Sequence, residues 1–300
     1  MSATVTAVIP AYNAQQWIGN AIDSVLAQSY PSIETIVVDD GSTDGTTAVV
    51  SRYGDVVRHV RLSKSGVSTA RNIGAKVGTG ELIAFLDADD TWERRKVEVQ
   101  VERFSARPDA VASFTGTRYV DQRRGTETSR TCRLESDLVR GLLLYSCIVG
   151  PPSALMVRRS VFENVGGFDP AFSQCADWDM WIRLAGVGPV DIVAEPLVRY
   201  RVHSENMSRN IRLLEDDTLR VLAKFFESDA HAVRYRAERR RIYSNQFLIL
   251  SGSYLHAGSV VSSIRCLARG LVSYPPNLVR AAGVPWRLAL RLSGRADSIQ

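Results

Sequence analysis

The sequence predicts an α/β fold in which helices flank a mostly parallel sheet, followed by a helical C-terminal extension. Over the first 110 residues, short apolar and β-branched runs alternate with stretches of helical periodicity. Three of the apolar runs stop at polar or proline-containing turns, and beyond Asn210 the pattern is mostly helical. Strands that alternate with helices in this way are typical of βαβ units, whose strands are parallel.

The N-terminal elements follow from these patterns in order. Val5 to Ile9 is an apolar run closed by Pro10, and we expect Asn13 to cap the helix that follows. That helix is predicted because apolar residues recur at helical spacing at Ile18, Ala21, Ile22, Val25 and Leu26. Further strands are predicted at Thr35–Val38, Val57–Leu62, Leu82–Leu86, Val111–Phe114 and Ala154–Val157. Further helices are predicted at Ser68–Val77, 91–110 and Asp177–Leu184, and the polar stretch Arg118–Arg133 is predicted to be a loop.

Composition sets the broad class of the protein. The chain has 300 residues, of which 45% are hydrophobic, enough for a large domain with an appendage. The four cysteines are widely spaced and form no CxxC pair, so we expect reduced thiols rather than a zinc site or disulfides. No apolar run reaches 18 residues and the N-terminus lacks the pattern of a secretory signal. We therefore expect a cytoplasmic protein.

Charge is distributed unevenly along the chain. The whole chain carries a net charge of +5, whereas residues 234–300 contain eleven arginines against Glu238 and Asp297 only. The preceding residues are slightly acidic, and we expect no nucleic-acid partner. Arginines interleaved with apolar residues such as Val260, Ile264, Leu267, Ala268 and Leu271 suit an anionic membrane surface. The alternative is a helical cap with solvated arginines.

Three turns are predicted to meet at one edge of the sheet. They are Pro10-Ala11-Tyr12, Asp39-Asp40-Gly41-Ser42 and Asp87-Ala88-Asp89-Asp90. In open α/β sheets, ligands bind outside the carboxyl ends of the strands. No glycine-rich dinucleotide fingerprint and no P-loop are present. A diphosphate would therefore need a metal ion held by carboxylates.

The acidic turn after the fourth strand is the strongest chemical signal. Asp87, Asp89 and Asp90 place three carboxylates within four residues, which repel one another unless a cation is present. An oxygen-rich site suits Mg²⁺ or Mn²⁺, completed by phosphate oxygens and water. The alternative is a solvated loop in which Asp90 caps a helix. After the second strand, Asp39 or Asp40 could accept hydrogen bonds from a base or ribose, or form a turn.

Taken together, these motifs resemble glycosyltransferase family 2. The resemblance spans about residues 4–205 and rests on five motifs in the family's order. They are Val8-Ile9-Pro10-Ala11-Tyr12-Asn13, Val37-Val38-Asp39-Asp40-Gly41-Ser42, Gly66 with Ala70-Arg71-Asn72-Ile73-Gly74, Asp87-Ala88-Asp89-Asp90, and Gly166-Gly167-Phe168-Asp169 with Asp177-Trp178-Asp179. The resemblance implies a GT-A, Rossmann-like fold and inverting sugar transfer. It implies a nucleoside-diphosphate donor, UDP by default, and a glycan or lipid-linked acceptor of bacterial surface polysaccharide or glycoconjugate synthesis.

The resemblance also implies roles for single residues. Donor-nucleotide contacts fall on Pro10, Ala11, Tyr12, Asp39, Asp40, Arg71 and Asp87. Asp89 of the DxD motif is implied as a metal ligand for Mn²⁺ or Mg²⁺. His203, in Tyr200-Arg201-Val202-His203, is a further metal ligand, a contact to the diphosphate or a structural histidine.

Asp177 is the implied general base, which would deprotonate the acceptor hydroxyl. The family's usual Glu-Asp pair is replaced here by Ala176-Asp177, which leaves Asp179 as a rival base. Asp177 could instead only cap its helix. Trp178 and Trp181 are predicted either to line the acceptor site or to pack in the core.

The expected organisation is a catalytic domain over 1–210 and a basic helical extension over 211–300. The catalytic domain would divide into a nucleotide-sugar half, about 1–110, and an acceptor half, about 111–210. Two other functions stay open: a sugar nucleotidylyltransferase, and an inactive nucleotide-sugar-binding module. The basic extension suggests peripheral attachment to the inner face of the cell membrane.

Overall fold

The computed structural model describes residues 3–131, 136–145, 150–203 and 210–278. The chain divides into two compact units. The first unit comprises residues 1–138 and 148–206, and the second comprises residues 139–147 and 207–300. Within the range 1–210 expected for the catalytic domain, residues 139–147 therefore group with the C-terminal unit.

The first unit is built on a single mixed sheet flanked by helices. Its strands are β1 (Val5–Ala11), β2 (Ile33–Asp39), β3 (Arg58–Arg61), β4 (Leu82–Phe85), β5 (Thr91–Trp92), β6 (Ala112–Asp121), β7 (Thr126–Arg130), β8 (Leu155–Arg158) and β9 (Val190–Val202). Its helices are α1 (Ile18–Leu26), α2 (Thr46–Ser51), α3 (Val67–Val77), α4 (Lys96–Ala106), α6 (Arg159–Asn164) and α7 (Ala176–Val187). The helix α5 (Leu138–Tyr145) leads into the second unit.

The strand order brings most of the strand ends to one edge. In the described residues the order is β3-β2-β1-β4-β8-β6-β9-β5, with β7 paired to β6. Pairing is parallel from β3 to β4 and between β6 and β9, and antiparallel on both sides of β8. Because β8 is antiparallel to both of its neighbours, β4 and β6, the strands β6 and β9 run in the same direction as β1, β2 and β4. The predicted mostly parallel sheet with flanking helices is confirmed.

Close packing of α3 on the sheet depends on a small residue. Every residue of β1 is buried, as expected for a central parallel strand covered on both faces. A Cβ added at Gly74 would lie 2.3 Å from Val8 Cγ1, so only glycine allows α3 to lie this close to β1. Gly66, with φ +92°, begins the helix in a conformation that glycine adopts without strain.

Three local predictions were wrong. The polar stretch Arg118–Arg133 was predicted to be a loop, but in its described part, 118–131, β6 and β7 form a hairpin in which Arg118 pairs with Glu127. The last two residues of the stretch lie outside the described ranges. The long strand β9 was not predicted, because its alternating polar residues interrupt the apolar pattern. Asn13 does not cap α1; it has φ 49° and its Oδ1 accepts a hydrogen bond from Thr43 N at 2.8 Å.

The C-terminal unit is helical. It contains α8 (Ile211–Ser228), α9 (Ala232–Tyr235), α10 (Arg239–His256) and α11 (Val260–Ser273). The helices α10 and α11 pack against each other as a helical hairpin, and a Cβ added at Gly270 would lie 3.1 Å from Ser244 O. The buried residues of α11 are Ser263, Cys266 and Gly270. These small residues allow α11 to approach α10 closely. The apolar stripe noted in the sequence therefore lies largely outside the contact between the two helices.

Candidate active site

The three sequence turns meet at the carboxyl edge of the sheet, as predicted. Ala11 at the end of β1 is in register with Asp39 at the end of β2, and Asp40 N donates to Ala11 O at 2.8 Å. The acidic turn begins directly after β4, the other neighbour of β1. Their convergence follows from parallel pairing alone.

Asp39 supports its own turn. Its carboxylate is fully buried and accepts hydrogen bonds from Ser42 N at 2.8 Å and Thr47 Oγ1 at 2.6 Å. Burial alone would raise the pKa of Asp39, but these hydrogen bonds and the charge of Arg61 lower it overall. These contacts favour a structural role for the Asp39 carboxylate.

Asp40 fixes the loop that leads into α3. Its Oδ1 accepts from Ser65 N at 2.7 Å and its Oδ2 accepts from Gly66 N at 2.8 Å. A carboxylate oxygen has a second lone pair, so each oxygen keeps acceptor capacity for a base or ribose. Asp40 is thus buried and pre-oriented at the predicted nucleoside position.

Tyr12 stands at the mouth of this half of the site. It is 42% exposed, and Lys64 Nζ lies 4.3 Å from its ring centroid and 3.0 Å from its hydroxyl. Sequence reasoning missed Lys64, because a single lysine in a polar loop carries no pattern. The pair supplies an aromatic surface and a cation side by side.

Arg71 reaches the acidic turn from α3. Its guanidinium lies 2.5 Å from Asp87 Oδ1 and 5.1 Å from the ring centroid of Phe168. Arg71 is buried, and its Nε has no hydrogen-bond partner among the described residues. A buried N–H without a partner is costly, so a ligand oxygen at this position would stabilise it.

The two candidate metal ligands, Asp89 and His203, contact each other. Nε2 of His203 is 2.9 Å from Asp89 Oδ2, which links the end of β9 to the DxD turn. Burial raises the pKa of Asp89, and the nearby charge of Asp87 adds to that rise. A divalent cation would offset the charge that these carboxylates share.

The candidate metal ligands suit a Mn²⁺ or Mg²⁺ ion that is held by few protein groups. Asp89 and His203 supply one oxygen and one nitrogen, and no group of three histidine, cysteine or carboxylate ligands is arranged for a metal in the described part of the chain. Magnesium and manganese sites on nucleotides are completed by phosphate oxygens and water.

Asp90 was predicted as part of the metal cluster or as a helix cap, and the structure shows a different role. It is almost fully buried, and it accepts hydrogen bonds from Ser153 Oγ at 2.5 Å and Arg201 N at 3.0 Å. Ser153 Oγ also accepts from Asp87 N at 3.0 Å. Asp90 and Ser153 therefore join the acidic turn to β9. Sequence reasoning missed Ser153, since no motif surrounds it.

The two base candidates of α7 have different surroundings. Burial raises the pKa of Asp177, with Arg71 lowering it and Asp87 raising it further, so all three lie within electrostatic reach of one another. Asp179 instead forms a buried ion pair with Arg183 at 2.5 Å, and Arg183 also donates to the carbonyl of Gly167. The structure therefore favours Asp177 as the base. Asp177 lies in the first turn of α7 rather than at its N-cap, which is Cys175.

The aromatic residues divide between core and site. Trp178 and Trp181 are buried, and Trp181 packs edge-on against Phe114 with ring centroids 4.8 Å apart, so core packing is the outcome for both. Trp17, which sequence reasoning missed, stacks on His203 with centroids 5.8 Å apart. Arg201 lies 4.4 Å above the same indole. Trp17 therefore orients two residues at the end of β9.

Comparison with known proteins gives consistent results. Residues 6–166 match the family model Glycosyl transferase family 2. An uncharacterized glycosyltransferase of Rickettsia typhi is 32% identical over 67% of this chain and 65% of its own length. The teichuronic acid biosynthesis glycosyltransferase TuaG of Bacillus subtilis is 31% identical over 69% of this chain and 82% of its own. The chain thus matches just under two thirds of the length of its Rickettsia typhi relative.

Solved structures share the fold. Residues 1–349 of Staphylococcus aureus TarS match with a TM-score of 0.67, 16% identity and coverage of 98% of this chain and 88% of TarS. The same TarS fragment is also solved with UDP-GlcNAc, with a TM-score of 0.63, 13% identity and coverage of 88% and 90%. A Pyrobaculum calidifontis mannosyltransferase in complex with GDP-Man and Mn²⁺ matches with a TM-score of 0.59, 20% identity and coverage of 96% and 81%. At these identities the likeness shows the fold.

The order of motifs, their convergence at one sheet edge and the family match agree. The chain belongs to glycosyltransferase family 2.

Proposed function

We propose that this protein transfers a sugar, with inversion, from a nucleoside-diphosphate sugar to an acceptor hydroxyl. One observation carries the proposal: Asp89 and His203 contact each other beside the Arg71–Asp87 pair, with Asp177 in electrostatic reach. On this proposal a metal position, a cation for the diphosphate and a base would lie near one another. TuaG and the TarS complex with UDP-GlcNAc support a UDP-sugar donor and a role in bacterial surface polysaccharide synthesis.

The donor half of the site would bind the nucleotide. Tyr12 would flank the base, and Pro10 and Ala11 would line its pocket. Asp40 would accept from the base or ribose with its remaining lone pairs. Arg71 would donate its unpaired Nε–H to a donor oxygen, and Asp87 would hold the ribose or donor sugar.

Asp89 and His203 would hold Mn²⁺ or Mg²⁺ against the diphosphate. When bound, the metal would supply positive charge to the departing diphosphate. The complex of the Pyrobaculum calidifontis mannosyltransferase with Mn²⁺ supports this part of the proposal.

Asp177 would take the proton of the acceptor hydroxyl as its oxygen attacks the anomeric carbon. The bond from that carbon to the diphosphate oxygen breaks on the opposite face, and the nucleoside diphosphate leaves with the bonding electrons. A single displacement of this kind inverts the anomeric configuration and needs no covalent enzyme intermediate. Burial keeps the pKa of Asp177 above the ordinary range for aspartate, which makes its carboxylate a stronger base.

The proposal is tested by turnover. Release of nucleoside diphosphate from UDP-, GDP- and dTDP-sugars would be measured with Mn²⁺, with and without a mixture of glycoside acceptors. Release that requires both Asp177 and an acceptor, with an inverted linkage by NMR, supports the proposal. Pyrophosphate exchange with a sugar phosphate would indicate a nucleotidylyltransferase instead. Nucleotide binding without any turnover would indicate an inactive binding module.

We also propose that the C-terminal unit contacts an anionic membrane surface. No helix among the described residues has the length and apolar content to cross a bilayer. On α11, Val261 is 82% and Val272 is 83% exposed. The half-exposed Arg265 and Arg269, which contact Glu215, lie on the same helix. Exposed apolar residues beside arginines suit the boundary between acyl chains and anionic headgroups.

Vesicle sedimentation tests the membrane contact with the full chain. Vesicles of phosphatidylcholine and phosphatidylglycerol in equal parts should bind the protein, and pure phosphatidylcholine vesicles should bind far less. Combined serine substitutions at Val261, Ile264 and Val272 should abolish sedimentation, whereas Val233→Ser, an exposed valine on α9, should not. Equal sedimentation of the triple variant would contradict the proposal.

A further inference from the structure

Two tyrosines form a tilted aromatic pair on neighbouring parallel strands. Tyr119 of β6 and Tyr200 of β9 are in register, and their ring centroids lie 5.1 Å apart at an interplanar angle of 49°. Residues in register on adjacent strands project to the same face of the sheet. Each ring is partly exposed, so the pair contributes surface rather than core.

The pair lies beside the acidic turn. Tyr200 directly precedes Arg201, whose backbone N donates to Asp90 at 3.0 Å. Burial raises the pKa of Tyr200, and the charges of Asp90, Asp87 and Asp89 add to that rise. The phenol therefore stays protonated at neutral pH and lies within electrostatic reach of the carboxylates.

Tyr119 lies within electrostatic reach of both the acidic turn and the proposed base. Burial raises its pKa, Arg130 opposes that rise, and the charges of Asp90 and Asp177 add to it. Neither phenol oxygen, on Tyr119 or Tyr200, makes a hydrogen bond to another residue in the described ranges, and neither is a fully buried oxygen. Both hydroxyls are therefore available to a ligand.

The position of the pair separates it from the donor side. In the sheet, β6 and β9 lie on the opposite side of β4 from β1 and β2, and Tyr12 and Asp40 directly follow these two strands. The tryptophans that sequence reasoning considered for an acceptor platform, Trp178 and Trp181, are buried in the core. Tyr119 and Tyr200, in contrast, are partly exposed.

We propose that Tyr119 and Tyr200 form the subsite for the acceptor sugar, a pyranose whose C–H face packs on the rings and whose hydroxyls bond the two phenols. An apolar surface with a few fixed polar groups is the usual composition of a small-ligand site. A pyranose held here would present a hydroxyl toward Asp177. The assignment rests on the proposed function, because it takes Asp177 as the base.

Saturation-transfer NMR on the full chain tests the subsite. Methyl β-glucopyranoside, methyl β-galactopyranoside and methyl N-acetyl-β-glucosaminide would be titrated in the presence of UDP and Mg²⁺. At least one glycoside should show saturation on one ring face. Tyr119→Leu and Tyr200→Leu should each weaken that binding about tenfold or more, and the Phe variants about two- to tenfold, since they lose only a hydrogen bond. The matched control is Tyr30→Leu. In the wild type the Tyr30 hydroxyl donates to Ala3 O, and the control variant should bind the glycoside with wild-type affinity.

The outcomes separate the subsite from the donor site. Glycoside binding that survives both Leu variants, or that is absent from a wild-type protein able to bind UDP, overturns the assignment. Wild-type protein that binds a glycoside through these tyrosines but binds no nucleotide supports the subsite and contradicts the proposed function. Circular dichroism melting of each variant separates loss of binding from loss of fold.

Discussion

Ser153 Oγ donates a 2.5 Å hydrogen bond to the buried carboxylate of Asp90, and this bond holds the acidic turn in place. The same oxygen accepts from Asp87 N, and Asp90 also accepts from the backbone of Arg201. The two residues therefore fix the spacing between the DxD turn and the end of β9. His203 and Asp89 face each other across this connection.

Ser153→Ala should impair both stability and metal-dependent nucleotide binding. It removes a donor from buried Asp90 and an acceptor from Asp87 N, at a cost of about 1–3 kcal/mol. We expect a lower melting temperature and a UDP affinity in Mn²⁺ reduced about tenfold. Ser51→Ala, on an exposed turn of α2, is the matched control and should change neither quantity. Normal UDP affinity in Ser153→Ala would show that the connection does not position the site.

Asp177→Asn should reduce kcat by about 10²–10⁴-fold and leave nucleotide affinity nearly unchanged, because it removes the proposed base alone. In the wild type, kcat/KM should rise with pH as Asp177 loses its proton. Because burial raises that pKa, the acid limb should lie above the ordinary aspartate value of about 3.9. A stopped UDP-release assay across pH measures both effects. An unchanged acid limb in Asp177→Asn would exclude this residue as the base.

Asp179→Asn should lower the stability of the protein and leave its kcat nearly unchanged. The substitution leaves the buried Arg183 without its carboxylate, and breaking such a pair costs about 3–5 kcal/mol. We therefore expect a large fall in melting temperature, with kcat per folded molecule close to the wild-type value. Chemical denaturation and UDP release on the same sample measure the two quantities. If Asp179→Asn lowered kcat as much as Asp177→Asn does, Asp179 would again be a candidate for the general base.

Burial of the Lys96 amine should make the stability of the protein depend on pH. It is fully buried on α4, its Nζ has no hydrogen-bond partner within the described ranges, and the Trp92 ring centroid lies 3.8 Å away. Burial lowers the pKa of Lys96 well below its ordinary value. From that lowered pKa up to about 10.4 the unfolded chain binds more protons, so this residue makes stability rise with pH.

Lys96→Met should stabilise the protein at neutral pH and remove that part of the pH dependence. Denaturant unfolding of both proteins from neutral pH to about pH 10 measures the difference between their free energies of unfolding. The difference should shrink as pH rises. A difference that is constant with pH would show that Lys96 does not titrate abnormally.

Much of the fold and the site was predictable because parallel strands obey strong geometric rules. Once β1, β2 and β4 were recognised, Asp39, Asp40 and Asp87 had to meet at one edge. The hydrophobic pattern marked these strands because each is buried on both faces.

What sequence reasoning missed lies in elements with mixed patterns. The strand β9 alternates charged and apolar residues around Pro196, and β6 and β9 change register near Gly116, so periodicity was weak. Ser153, Lys64 and Trp17 act through contacts with residues far away in the sequence. No local spacing encodes such contacts. On α11 the buried residues are the small side chains Ser263, Cys266 and Gly270, which no apolar pattern marks in the sequence.

The most direct test of the central claim is calorimetric titration with UDP, GDP and dTDP, each with and without Mn²⁺. Wild-type protein and Asp89→Ala would be compared, with His203→Ala beside them. We predict that one nucleotide binds in a Mn²⁺-dependent manner, that Asp89→Ala abolishes the metal dependence and that His203→Ala weakens it. A folded wild-type protein that binds none of the three nucleotides, or binds one equally without Mn²⁺ and without Asp89, would contradict a metal-dependent donor site at this turn.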